Sequence, residues 1–424
     1  MRIQSRRRRA MPFMVLALSA TLVGGTAATT AAQDQVELEY LTNQYVPEMS
    51  DVLKDIIAAF EAENPNVTVK LTEVPFPSLF ETIDTTLASG APVMDVFSAD
   101  APLVPKYAAA GAILPLDDLY PADAQTDFLP GSLDEALWDG SFFAPPQISS
   151  SQGVYVNRAI FEAAGVDLPS MDPAERLTWA EIRDLANQLT VRDGDVVTQW
   201  GLLIEQSTAP YQLYPLIQSL GGEVISPDGT TVDGYMNSPE AIEAMTFYQD
   251  LYCTDRVSPQ EGVPEGFASG NVAMMLGGTW HVGGFSANDA LDWQMTPHPF
   301  FDDVVTPTGS FHVAVNANTQ NPAEAAAFAD FLTSEAQSVA IFEATNEIPA
   351  RRSIYEALPE KFSAHPNEIF SYELANTAMA RPRTAAYGAM ESELRGAFGS
   401  IGACADVETT LNDAVSRIDP LLSQ

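Results

Sequence analysis

Between residues 36 and 111 the hydrophobic period of the chain switches repeatedly between two and three-to-four, and that switching limits the fold more than any other feature. "VELEYLT" (36–42) alternates apolar and polar residues, as a half-buried strand does. After Ser50, read as an N-cap, Val52, Leu53, Ile56, Ile57 and Phe60 recur at helical spacing until Asn64-Pro65 stops them. "VTVKL" (67–71) alternates again, a helix is expected over 78–88 with Gly90 as its stop, and "MDVFSAD" (94–100) reads as a short buried strand. "PLVPKYAAAG" (102–111) is the next expected helix. Strand–helix–strand–helix–strand at this spacing predicts a parallel α/β layer.

The same pattern returns downstream. Thr178 precedes an expected helix over 179–189, "QWGLLIE" (199–205) reads as a strand, and Ser238 opens a strong helix to Tyr252. "VAMMLGG" (272–278) and "SFHVAVNA" (310–317) read as strands, and 321–334 as a helix. "DVETTLNDAVSRIDPLL" reads as a last amphipathic helix. A chain of 424 residues holds two or more lobes built this way.

The first 33 residues stand apart. Arg2 and Arg6–Arg9 precede an apolar stretch from Met11 to Gly25, and "TAATTAAQ" (26–33) supplies small residues for cleavage. This is the layout of a secretory signal peptide, expected to be cut near residue 32–33, and the general export route is favoured over a twin-arginine one. No cysteine lies near that point, so no lipid anchor is expected, and no later stretch approaches the ~18 apolar residues of a membrane span. An exported, periplasmic protein follows.

Charge narrows the partners. The net charge of −37 becomes about −42 when the five leader arginines are removed. Nucleic acid and anionic membranes are excluded as partners, because their phosphates require basic neutralisation; solubility is the simplest reading of the acidity. Cys253 and Cys404 are the only cysteines, and the sequence leaves open whether they pair. Four isolated histidines and the absence of any CxxC give no metal site, and no cofactor is expected.

Several segments together carry a resemblance. "AFEAENPNVTVKL" (59–71), "MDVFSADAPLVPKYAAAGAILPLDDL" (94–119), "VYVNRAIFEAAGVDLP" (154–169), "LTWAEIRDLANQL" (177–189), "GNVAMMLGGTW" (270–280) and residues 321–356 are similar, in order, to family 1 extracellular solute-binding proteins. These are the sugar receptors of ATP-driven importers. The resemblance implies a two-lobed α/β fold of the periplasmic-binding-protein type, each lobe a mostly parallel sheet flanked by helices, with hinge crossovers and a ligand cleft. It implies an N-lobe of 34–148 and 299–345, and a C-lobe of 149–298 and 346–424. It also implies a monomer that binds a carbohydrate, closes on it, and delivers it to a membrane permease whose separate ATPase subunits drive import.

Candidate ligand-binding residues follow from that cleft. Ser150, Ser151 and Gln152, in the crossover before "VYVN", offer groups that both donate and accept, as sugar hydroxyls do. Gln44 and Tyr45 follow the first strand, and Asp100 sits at the carboxyl edge of the sheet, where ligands of open α/β folds collect. In "GGTWH", Trp280 would stack on a sugar ring while Gly278 lets the backbone approach. Tyr211 is a wall candidate; Ser310 and His312 lie on the return crossover; Arg351 follows a second hinge, where its fork of donors would hold a hydroxyl pair or an acidic substituent of the ligand, or else a structural carboxylate.

Two other classes of protein share parts of this pattern. A glycoside hydrolase needs facing carboxylates, but Asp95 and Asp100, five apart on one strand, point to opposite faces, and no G-x-S-x-G or HExxH occurs. No catalytic residue is assigned. A two-lobed receptor for a non-sugar solute (a glycerol phosphodiester, a metal or an amino acid) stays open.

Overall fold

A computed structural model describes residues 35–423 apart from 261, 264 and 310. The signal-peptide reading and the Ser310 expectation therefore lie outside the described residues. Nine strands build two sheets: β1 (Val36–Gln44), β2 (Val67–Pro75), β3 (Val96–Asp100), β4 (Gln152–Asn157), β5 (Val191–Asp193), β6 (Val196–Ile204), β7 (Val272–Gly278), β8 (Trp293–Pro297) and β9 (Phe311–Val315).

The first sheet has the order β9-β3-β1-β2, with β1 parallel to both its neighbours and β9 antiparallel to β3. The helix after β1 begins at Pro47, not Ser50: a proline at the first helical position loses no needed N–H. Ser50 lies inside that helix, and its hydroxyl donates to Glu73. Met49, Leu53, Ile56, Ile57 and Phe60 form its buried stripe. The next helix, Phe76–Ser89, ends on Gly90 at φ 64°, a left-handed turn that glycine adopts without strain. Far along the sequence, helix Pro322–Leu332 returns to this layer, where Phe328 meets Tyr40 and Phe60 edge-on.

The second sheet has the order β8-β4-β7-β6-β5. β4 runs against β8 and β7, β6 is parallel to β7, and β5 is antiparallel to β6, so three of five strands share one direction. Every residue of β4 and β7 is buried, which explains their continuous apolar reading. Helix Trp179–Leu189 carries the capping box of Thr178 and Glu181 and packs so closely on β6 that a Cβ at Gly201 would fall 2.0 Å from the Ala186 carbonyl oxygen. Ser238 caps helix Pro239–Cys253. A Cys253–Cys404 disulfide ties that helix to the turn after helix Tyr387–Gly402.

The crossings between the two layers lie side by side. Ser150 N–H donates to the Gly309 carbonyl (2.9 Å) and Gln147 N–H to that of Phe311 (3.1 Å). Ile148–Ser149 also pairs antiparallel with Ile348–Pro349. Three chain segments thus form one narrow ribbon, and the serine run 149–151 sits inside it rather than in an exposed turn.

Candidate ligand cleft

A cavity of about 830 Å³ is walled by residues of both sheets. The first-sheet wall comes from strand ends: Asn43 and Gln44 close β1, Tyr45 follows, Asp100 closes β3 and Phe311 opens β9. Phe76 and Phe80 extend it as an aromatic surface, Phe76 lying edge-on to both Phe80 and Phe311. On the second wall, Glu205 follows β6, Trp280 and His281 follow β7, Tyr211 heads a helix, and Glu347 enters from the third crossing. Carboxyl ends of strands gather here because the parallel connections leave their loops on one edge.

The C-terminal segment supplies the strongest ionic contact. Arg381 grips Asp100 through two bonds, Nη1–Oδ2 at 2.8 Å and Nη2–Oδ1 at 2.5 Å. Its guanidinium stands 5.0 Å from the centre of the Tyr211 ring. A Cβ at Gly309 would fall 2.5 Å from Arg381 Nη2, so the small residue in the crossover makes room for the arginine. Burial works against the Arg381 charge, but Asp100 outweighs it and keeps the group firmly protonated. Lys106 pairs with Asp84 at 2.7 Å, and Arg395 with Glu391 at 2.7 Å.

Trp280 is fixed from two sides. Its Nε1–H donates to both Glu205 oxygens, at 3.0 and 3.2 Å. Its benzo ring occupies the space a side chain at Gly278 would take: a Cβ there would lie 2.2 Å from Cζ3. Glu347 is 3% exposed and accepts a single hydroxyl bond, from Thr279 at 3.1 Å. Burial raises its pKa to about 7, against the lowering effect of that bond.

Six expected residues meet at this cavity: Gln44, Tyr45, Asp100, Ser150, Tyr211 and Trp280. The Ser150 hydroxyl donates to the Gly309 carbonyl and lies 3.0 Å from the Tyr211 hydroxyl. The others stand elsewhere. Ser151 and Gln152 are fully buried, because β4 begins at Gln152 and is covered on both faces. Gly278 backs the Trp280 ring instead of facing the cavity, and its carbonyl accepts from the Tyr155 hydroxyl at 2.7 Å. His312 is one residue beyond Phe311 on β9 and so points to the opposite face, where burial lowers its pKa to about 3; Nε2 lies 3.8 Å from Glu135. Arg351 is a buried tie: it donates to the carbonyls of Thr333 and Ala124 and to the Tyr120 hydroxyl, and stacks 4.4 Å from the Phe128 ring centre. Asp95 accepts from Glu39 N–H and the Thr319 hydroxyl, away from the cavity that Asp100 lines.

Sequence reasoning missed Arg381, Glu205, Glu347, Lys106 and Asn43. A faint signal existed for the first: in "AMARPRTAAYGAM" two arginines stand among small and apolar residues, in a chain otherwise poor in bases.

A family model, that of the bacterial extracellular solute-binding proteins, matches residues 46–339. The chain belongs to this family. The resemblance read from the sequence is thereby borne out. This solute-binding protein is 24% identical over 431 residues to the maltodextrin-binding protein MdxE of Bacillus subtilis, with 96% of each chain covered. It is 25% identical over 255 residues to a binding protein of Brucella abortus, a match that spans only 59% of that relative's length. Among solved structures, the ABC substrate-binding protein Lmo0181 of Listeria monocytogenes, in complex with cycloalternan, superposes with a TM-score of 0.82 at 22% identity, covering 91% of this chain and 99% of the other. The solute-binding protein therefore has the two-lobed α/β fold, each sheet with its helices forming a lobe and the cavity lying between them. Among the described residues no helix is long and apolar enough to cross a membrane.

Proposed function

We propose that this protein is the extracytoplasmic receptor of an ATP-driven importer, binding a carbohydrate between its lobes and handing it to a membrane permease without altering it chemically. The observation that carries this reading is the Trp280 ring, propped on Gly278 and held by Glu205 at the wall of an 830 Å³ cavity. An aromatic face complements the C–H face of a pyranose. Asn43, Gln44, Gln206 and the carboxylates around it supply donors and acceptors for hydroxyls. The volume lies within the range of small-molecule sites. The maltodextrin-binding and cycloalternan-bound relatives support the same solute class.

The lobes divide as 34–148 with 299–345, and 149–298 with 346–424, and closure turns on the three-stranded ribbon of crossings. Residues 1–33 serve as an export leader, leaving an unanchored periplasmic chain that works as a monomer. A melting screen against maltodextrins, arabino-oligosaccharides, simple sugars, amino acids and metals tests the reading. A micromolar ligand at millimolar concentration should add about 4 kcal/mol. Trp280→Ala should weaken the responding saccharide at least tenfold while leaving the unliganded melt in place. A shift with amino acids or metals alone overturns the carbohydrate assignment.

A further inference from the structure

The charges that wall the cavity do not balance. Its cations are Lys106, Arg381 and Arg395, and each is already matched: to Asp84 at 2.7 Å, to Asp100 at 2.5 Å and to Glu391 at 2.7 Å. Two carboxylates are left, Glu205 and Glu347, and both stand beside the Thr279–His281 turn that carries Trp280. His281 Nε2 lies 3.0 Å from Glu205, and among the described residues Glu347 has no ion-pair partner. Glu347, 3% exposed, accepts from the Thr279 hydroxyl, and the Tyr45 and Tyr155 phenols feel its charge.

Of the two Glu347 oxygens only Oε2 has a hydrogen-bond partner among the described residues, the Thr279 hydroxyl, which leaves Oε1 as an acceptor at the cavity wall. The cavity therefore offers a surplus of acceptors and of negative charge around an aromatic ring. Neutral hydroxyl groups would satisfy the acceptors and leave the charge. A primary ammonium satisfies both, with three N–H donors and one positive charge, and the face of a tryptophan favours it further.

We infer that the solute is an amine-bearing saccharide, its ammonium seated between Glu347 and Glu205 against Trp280. This rests on the carbohydrate-receptor reading and names the substrate class within it. Burial holds Glu347 partly protonated near neutrality in the unliganded protein, so a bound cation also draws a proton off it.

The test is calorimetric titration of the purified protein at pH 7 with the β-1,4 glucosamine disaccharide, its N,N′-diacetyl form, cellobiose and maltose. The free-amine disaccharide should bind at least tenfold more tightly than the acetylated form and cellobiose. In the Glu205→Gln/Glu347→Gln protein, checked for an unchanged far-ultraviolet circular dichroism spectrum, that ratio should fall to about one. Equal or weaker binding of the amine beside measurable binding of cellobiose or maltose overturns the inference and leaves the receptor reading standing. A preference that survives both glutamines also overturns it. Failure of all four saccharides to bind overturns the inference, and the reading beneath it falls with it only if the melting screen is silent for every other sugar as well.

Discussion

Replacing Arg381 by methionine should destabilise the protein far more than replacing Arg381 and Asp100 together. The Arg381 and Asp100 side chains are 8% and 18% exposed and joined by two hydrogen bonds. At an effective dielectric constant of ~20, unit charges ~4 Å apart attract by about 4 kcal/mol, and desolvation of both groups offsets much of that. The larger effect comes from asymmetry. Methionine keeps most of the packing against Tyr211 and Tyr387 but leaves the Asp100 carboxylate without its counter-ion. Breaking such a pair from one side costs about 3–5 kcal/mol. At about 2.1 cal/mol/K per residue, a chain of this size loses roughly 1 °C of melting temperature per kcal/mol, so the single variant should melt about 4–6 °C lower. Adding Asp100→Asn removes the stranded charge and should recover at least half of the loss. Denaturant unfolding of the four proteins of the cycle gives the coupling directly. Additivity within ~0.5 kcal/mol would show that the two side chains do not hold each other and would refute the argument.

Three further outcomes follow from the structure. Gly278→Ala places a methyl group 2.2 Å from the Trp280 ring and should weaken saccharide binding about tenfold with a shift in tryptophan emission; unchanged affinity and emission would contradict the placement of that ring. Removing the disulfide with Cys253→Ala/Cys404→Ala, 151 residues apart, should cost about 2–5 kcal/mol in chemical unfolding without touching the cavity, which neither cysteine lines; an unaltered midpoint would show that the bond constrains nothing. Burial raises Glu347 to about 7 and Glu135 to about 8 from 4.5, so the stability they contribute is complete below pH 4.5 and is lost as pH rises through 8; burial lowers His298 and His312 to about 3 from 6.5, so theirs is present above pH 6.5 and lost as pH falls towards 3. Melting temperature should therefore peak between roughly pH 4.5 and 6.5, and a steady rise to pH 9 would contradict the burial of the two carboxyls.

The fold was legible because periodicity survives in short windows. β1 to β3 and their helices follow from residues 36–111 alone, and the cap at Thr178 was found from its own side chain, whereas Ser238, read as the first helical residue, is the cap of a helix that starts at Pro239. The direction of β4 was not legible: "VYVN" reads as a buried strand whichever way it runs, and its antiparallel pairing with β7 and β8 is set by chain segments more than a hundred residues later. The cavity was legible where it is made of strand ends, at Gln44, Tyr45, Asp100 and Trp280. It was not where the residue next door carries the contact. Phe311 faces the cavity and His312 does not, a difference of one position on a strand; Glu347 lines it and Arg351, four residues on, anchors the crossing instead.

The distribution of bases explains why Arg381 escaped notice and why the cavity charge is informative. Beyond residue 33, fifteen lysines and arginines face 57 acids. A chain this acidic keeps its surface negative for general reasons of solubility, so an exposed carboxylate carries little information. The cations carry more. Arg176 sits against Glu373 with side chains 5% and 0% exposed, Arg351 ties a crossing, and Arg381 holds Asp100 at the end of β3. Within the cavity the ratio is five carboxylates to three cations, much nearer balance than the chain as a whole. The cavity charge is therefore not an extension of the acidic surface but a set of specific pairings. Against that background two unmatched carboxylates, one of them almost wholly buried, are not surface acidity carried inward; desolvation makes an uncompensated buried charge costly, and a bound cation removes the cost.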